Sequence, residues 1–192
     1  MPSAPKKNKR RDADFYETPE WCTRAMLDYL EISPTARIIE PCAGHGAISR
    51  VIKEYFPQCT LVQYELRPNK KLQQHGRVTF GNFLKKVRFD ATADFVITNP
   101  PFTYSQEFIT TCRENYPNAE IIKLLPFSFL GSAKRHEWWK KNTPNMFSVL
   151  SDRPSFTNDG HTDSSVYAWY HWFNMHNKHK YRPTVFLERG DK

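Results

Sequence analysis

Two hydrophobic periods alternate along this chain. Trp21, Ala25, Met26, Tyr29 and Leu30 recur at helical spacing. They follow a Thr18-Pro19-Glu20 start in which Thr18 suits a helix cap, Pro19 the first turn and Glu20 the positive helix end. Ile48, Val51, Ile52 and Tyr55 mark one face of a second helix over residues 46–55. Residues 105–116 and 131–141 read as two more helices. Between and after them lie short apolar runs of strand character: residues 37–40, 59–65, 77–80, 94–98, 120–125, 146–150, 165–173 and 183–188. Strands alternating with helices predict an α/β fold on a largely parallel sheet, and the strand cluster at the end predicts an antiparallel edge.

Composition narrows the partners. The 192 residues suit one domain over residues 14–192 behind a basic arm, residues 1–13, built around KKNKRR. No apolar run approaches the roughly 20 residues of a membrane helix, and no apolar secretory segment is visible. Cys22, Cys42, Cys59 and Cys112 are scattered without a CxxC pair, which favours a reduced, cytoplasmic compartment over a disulfide framework or zinc site. A net charge of +8 and a pI near 9.3 favour a polyanionic partner.

Candidate chemistry gathers where predicted strands end. Only seven glycines occur, and Gly44 and Gly46 both sit in the turn after RIIE, where the backbone can approach a ligand closely. Glu65, about 20 residues further on, falls where α/β nucleoside sites place a carboxylate for ribose hydroxyls. Asn82 and Phe83 follow the third strand and suit an adenine edge and ring. The stretch DFVITNPPF ends a buried strand in Asn99-Pro100-Pro101-Phe102, a turn that continues neither strand nor helix.

In this order the pieces resemble the S-adenosylmethionine-dependent amino-methyltransferases. FYETP resembles the family's N-terminal cofactor motif, EPCAGHG its glycine-rich loop, YELRP and GNF its ribose and adenine contacts, and NPPF its catalytic tetrapeptide. The order is that of the gamma-type enzymes, and the small phage-type, Dam-like DNA N6-adenine methyltransferases are most similar. The resemblance implies a Rossmann-like class I fold, with a seven-stranded, mostly parallel sheet, an antiparallel edge strand and helices on both faces. It implies cofactor contacts from Tyr16, Thr18, Glu40, Pro41, Cys42, Gly44, Gly46, Glu65, Leu66, Asn82, Phe83 and Asn99, and catalysis by Asn99, Pro100, Pro101 and Phe102 without metal. The chain departs from the pattern at Asn82, where many relatives carry Asp, and its length leaves no room for a large target-recognition domain.

Such a corner suits an exocyclic amine. The Asn99 side-chain oxygen and the Pro100 carbonyl would accept its two hydrogens, and Phe102 would stack on a flipped-out or single-stranded base. DNA is the expected partner, with RNA adenine, cytosine N4 and protein glutamine as alternative acceptors; an inactive nucleic-acid-binding module is the alternative from another class. Lys134 and Arg135 beside Trp138 and Trp139, and Lys178, Lys180 and Arg182 around Tyr181, suit phosphate contact with stacking. His171, His176 and His179 are expected to be solvated or base-stacked rather than metal-bound. Residues 156–164 form a polar candidate for touching the target. A membrane is not expected, and a monomer is favoured. If the chain is phage-encoded, its compartment is the host cytoplasm.

Overall fold

The computed structural model describes residues 17–86, 92–156, 161–173 and 183–190. Eight strands form one sheet: β1 (Arg37–Glu40), β2 (Thr60–Glu65), β3 (Arg77–Phe80), β4 (Phe95–Thr98), β5 (Glu120–Pro126), β6 (Met146–Leu150), β7 (Tyr167–Trp172) and β8 (Thr184–Leu187). Their order is β3-β2-β1-β4-β5-β7-β6-β8, with β7 antiparallel to both neighbours and the other pairs parallel. This is a mixed, mostly parallel α/β sheet with two corrections. Eight strands replace the implied seven, because residues 184–187 pair with β6. The antiparallel strand is interior rather than at an edge; β3 and β8 are the edges.

Helices cover both faces. α1 (Glu20–Tyr29) and α2 (Ala47–Tyr55) bury Met26, Leu27, Val51 and Ile52 against Ile38, Ile97, Leu124 and Trp169. α3 (Ser105–Asn115) buries Phe108, Ile109 and Cys112 against Val62, Val96 and Ile121 on the other face. α4 (His136–Asn142) lays Trp138 and Trp139 against that same cluster. β5 is buried at every position, as a strand covered on both faces must be. The indole N–H of Trp169 donates to the Cys22 carbonyl at 2.9 Å, tying β7 to α1.

Two sequence readings change. Pro19, not Thr18, is the residue before α1, and no side chain caps that helix, because the Thr18 hydroxyl is engaged elsewhere. The fourth helix begins at His136, after a separate 3-10 turn at Ala133–Arg135.

Buried polar groups mark the sheet interior. His171 is neither solvated nor base-stacked: it is fully buried, with Nδ1 2.7 Å from Glu120 Oε1 and Nε2 2.9 Å from Ser148 Oγ. This chain ties β5, β7 and β6 together beneath the α1–α2 layer. Lys123 of β5 is also fully buried, its ammonium 5.2 Å from the Phe108 ring centroid, and burial lowers its pKa.

Removing one member of the polar chain strands the others. Glu120→Ala leaves a buried imidazole nitrogen without its acceptor, at a cost of about 1–3 kcal/mol. Thermal denaturation should then show a Tm lower by roughly 2–4 °C per kcal/mol; an unchanged Tm would contradict this role.

Candidate active site

Because β1 to β4 are parallel, the turns that follow them emerge at one edge of the sheet. β1 and β4 are direct neighbours, with Ile39 opposite Val96, so residues 41–46 leave the sheet beside residues 99–102. Ligands of open α/β sheets bind in such a crevice beyond the strand ends.

The turn after β1 needs glycine. Gly44 and Gly46 have φ of 56° and 87°, left-handed values that cost other residues about 1–2 kcal/mol. The turn is held from outside. Gly44 N–H donates to Glu65 Oε2 at 2.7 Å, Asn69 Nδ2 donates to the Gly44 carbonyl at 3.2 Å, and Ala43 N–H donates to the Tyr64 carbonyl at 3.0 Å. A methyl group on Gly46 would stand 3.0 Å from Leu72 Cδ2 and 3.2 Å from His75 Cδ2.

Glu65 closes β2. Its second oxygen accepts from Arg67 N–H at 3.0 Å, so one carboxylate pins two segments of loop backbone. A carboxylate has about four lone-pair positions, and the two remaining can take hydroxyls. Leu66, next in the chain, is 57% exposed, and Phe80, which pairs with Glu65, is 39% exposed. Asn82 accepts from Leu84 N–H at 3.0 Å through its side-chain oxygen, starting the 3-10 turn Phe83–Lys85. Phe83 itself is buried in the core, its ring parallel to Phe108 at 5.7 Å and edge-on to Tyr64 at 5.1 Å.

Glu40, the last residue of β1, lies inside the protein. It accepts from the Ser49 hydroxyl on α2. Burial pushes its carboxyl up to about 8; the Ser49 bond opposes the rise and the Glu65 charge adds to it. Pro41 is buried and Cys42 half-buried, both leading into the glycine turn.

The corner after β4 is also anchored. Asn99 Nδ2 donates to Thr18 Oγ1 at 3.0 Å, and Thr18 is 4% exposed. That bond uses the amide N–H and leaves Oδ1 without a donor among the described residues; Asn99 is half-buried and Pro100 buried. The Pro101 carbonyl accepts from Tyr104 N–H at 3.0 Å and Ser105 Oγ at 3.4 Å. No described residue donates to the Pro100 carbonyl. Phe102 is half-buried, tilted against Tyr167 at 6.0 Å between centroids, and Tyr167 in turn donates to Asp163 Oδ2 at 3.0 Å.

The structure thus brings Thr18, Gly44, Gly46, Glu65, Leu66, Asn82 and the 99–102 corner to one edge. Tyr16, Lys178, Lys180, Arg182, His176 and His179 lie outside the described residues. Lys134 is exposed, but Arg135 is turned inward: its Nε donates to the Phe129 carbonyl at 2.8 Å and its guanidinium covers the Phe129 ring at 4.4 Å. Trp138 and Trp139 are half-buried, packed against the cluster under α3. Of the polar stretch 156–164, residues 157–160 lie outside the described residues, while Phe156 packs edge-on against Tyr167 at 5.0 Å. Sequence reasoning missed Ser49, Asn69 and Phe80. Ser49 carries a signal, since it is polar beside Ile48 on a face otherwise apolar; Asn69 before two lysines marks an Asx turn.

No protein-family model and no curated protein matches the sequence. Solved structures do resemble it in fold. A protein from Listeria monocytogenes assigned as a class I S-adenosylmethionine-dependent methyltransferase superposes with TM-score 0.62 at 12% identity over 88% of this chain. A modification subunit assigned to a type I restriction enzyme of Vibrio vulnificus gives TM-score 0.65 at 15% identity over 91% of this chain. The M protein of the type I restriction enzyme EcoKI gives 0.63 at 14% over 89%. The chain spans 65% of the length of the first and 47% and 48% of the other two. The fold is therefore the Rossmann-like fold of class I methyltransferases.

Two outcomes test this geometry. With a folded pKa of about 8 against an ordinary 4.5, native Glu40 keeps a proton that the unfolded chain has released. Its contribution to stability is full below about 4.5 and falls as pH rises toward 8. Denaturant titrations across that window should show Glu40→Gln flattening the decline; an unaltered slope would refute the assignment. Gly46→Ala should cost about 1–2 kcal/mol in the same assay through its φ of 87°.

Proposed function

We propose that this protein transfers a methyl group from S-adenosylmethionine to the N6 amino group of adenine in DNA. The observation that carries the reading is a pair of acceptors without a donor among the described residues at the corner after β4, on half-buried Asn99 and buried Pro100. Asn99 Oδ1 is left over by the Thr18 bond, and the Pro100 carbonyl has no donor among the described residues. The first-turn glycines, the Glu65 carboxylate and the exposed Leu66 and Phe80 surfaces fit a cofactor with a ribose and a flat apolar base. When bound, that cofactor supplies an electrophilic methyl group on a sulfonium.

The chain's own residues then do the positioning. The adenine amine is a weak nucleophile because its lone pair delocalises into the ring. Asn99 Oδ1 and the Pro100 carbonyl accept its two hydrogens and favour a tetrahedral nitrogen with a localised lone pair. Proline restricts φ near −65° and holds the preceding residue extended, so both acceptors are set before the base arrives. Orientation and fixed dipoles lower the barrier; the nitrogen–methyl bond would form as the sulfonium–methyl bond breaks to leave a neutral thioether, and the extra amine proton would then pass to solvent, with no strong base required. Phe102, tied to Tyr167, forms one wall beside the base.

Support for DNA comes from the net charge of +8 and from the type I restriction modification subunits among the structural neighbours. Labelled-methyl transfer onto defined DNA and RNA, followed by nucleoside mass spectrometry, tests the acceptor. N6-methyladenine in DNA is expected; label in RNA, in cytosine or in a glutamine peptide would redirect the assignment. Asn99→Ala should leave cofactor affinity by calorimetry nearly intact and lower turnover by about 10²-fold or more. Retained methylation in that variant would remove the corner from the mechanism.

A further inference from the structure

Six large apolar residues are exposed among the described residues: Tyr29, Leu66, Phe80, Tyr104, Val166 and Phe186. Their distribution is uneven. Tyr29 and Phe186 line a groove between α1 and β8. The other four lie along the edge where the parallel strands end. Leu66 follows β2, Phe80 ends β3, Tyr104 follows the β4 corner, and Val166 precedes β7, which runs the opposite way and so starts at this edge. The catalytic corner divides them. Leu66 and Phe80 stand beside Glu65, on the cofactor side. Tyr104 and Val166 stand on the far side; Tyr104 lies two residues after Phe102, and Val166 directly precedes Tyr167, the two members of one ring pair.

Tyr104 is 52% exposed, and among the described residues its ring and hydroxyl have no aromatic or hydrogen-bonding partner. Its backbone is nevertheless fixed. Its N–H donates to the Pro101 carbonyl at 3.0 Å, and it ends the short 3-10 turn Phe102–Tyr104 just where α3 begins. A rigidly mounted, unpartnered aromatic ring two residues from the corner offers a flat stacking face at low entropic cost. Phe102 is half-buried against Tyr167 and so has less surface to offer. Val166 is 42% exposed and is held by Phe127 N–H donating to its carbonyl at 2.9 Å. Lys134, exposed between β5 and α4, adds positive charge beyond β5 at the same edge.

We propose that Tyr104, with Val166 beside the same ring pair, forms a ledge on which a base flanking the target adenine stacks, in a single-stranded or locally opened DNA segment. The proposal rests on the reading that the acceptor is a nucleic-acid base. Tyr104 would act as a positioning residue: it orders the strand so that the target amine meets Asn99 and Pro100. Stacking of this kind tolerates any base and needs no separate target-recognition domain.

The test uses the full chain and a random-sequence single-stranded oligodeoxynucleotide pool of about 30 nucleotides, fluorescein-labelled for binding and unlabelled for methyl transfer. By fluorescence anisotropy, Tyr104→Ala should weaken pool binding roughly 5- to 100-fold. Tyr104→Phe and Tyr104→Trp should stay within about twofold of the parent. In methyl transfer, Tyr104→Ala should raise the acceptor KM by a similar factor while the cofactor KM, the saturated single-turnover rate and Tm hold. Parental affinity in Tyr104→Ala, loss in Tyr104→Phe equal to that in Tyr104→Ala, or no binding of the pool by the parent would overturn the ledge. Binding with the expected pattern but no label in any nucleic acid would leave the ledge standing and overturn the proposed acceptor chemistry instead.

Discussion

The pairing of β1 with β4 is the constraint on which the site depends. Two strands more than 50 residues apart in the chain lie side by side, with Ile38 opposite Phe95 and Ile39 opposite Val96. Parallel pairing makes both strands end at the same edge. The glycine turn of one and the Asn-Pro-Pro-Phe corner of the other therefore emerge as neighbours. An antiparallel pairing of the same two strands would put those turns at opposite ends of the sheet. Ile38 and Ile97 are buried in the core under α1 and α2, and Ile39 and Val96 in the core under α3, so both strands are covered on both faces.

Around that pairing, the same economy recurs at each turn: one side chain holds two pieces of backbone. Glu65 takes N–H groups from Gly44 and Arg67. Asn69 accepts from Lys71 N–H and donates to the Gly44 carbonyl. Thr18 crosses from the start of α1 to Asn99. These contacts orient loops that have no ladder of their own. They leave Asn99 Oδ1 and part of the Glu65 carboxylate without a donor among the described residues. Glu40 plays a different part. Its inward carboxyl bonds Ser49 and anchors α2 to β1 beneath the loop.

Positive charge and aromatic residues cluster together in the sequence, but the fold redistributes both. Arg135, Trp138 and Trp139 are drawn into internal contacts with Phe129 and the α3 face. Lys134 and Tyr104 stay exposed. A cluster that looks basic and aromatic in sequence is thus partly core, and the exposed aromatic nearest the corner is one that no charge cluster marks.

The eight strand segments and the four α-helices of the described residues were legible in the sequence, though not the 3-10 turns between them, because period and burial are local properties that each segment carries alone. The glycine turn, Glu65 and the 99–102 corner were legible too, since Gly-rich and Pro-Pro turns restrict the backbone wherever they occur. Pairing was not legible. The placing of β7 between β5 and β6, and the addition of β8 beyond β6, depend on contacts between distant segments. The same is true of His171, which as a residue type reads as polar surface and in the fold bridges Glu120 and Ser148 inside the sheet. Thr18 reads as a helix cap, and only the approach of β4 gives its hydroxyl a competing partner in Asn99. The sequence alone determined which backbone shapes are allowed at each turn. Tertiary packing decided which polar atoms those turns leave unpaired, because a hydrogen bond between distant residues exists only once the sheet has brought them together.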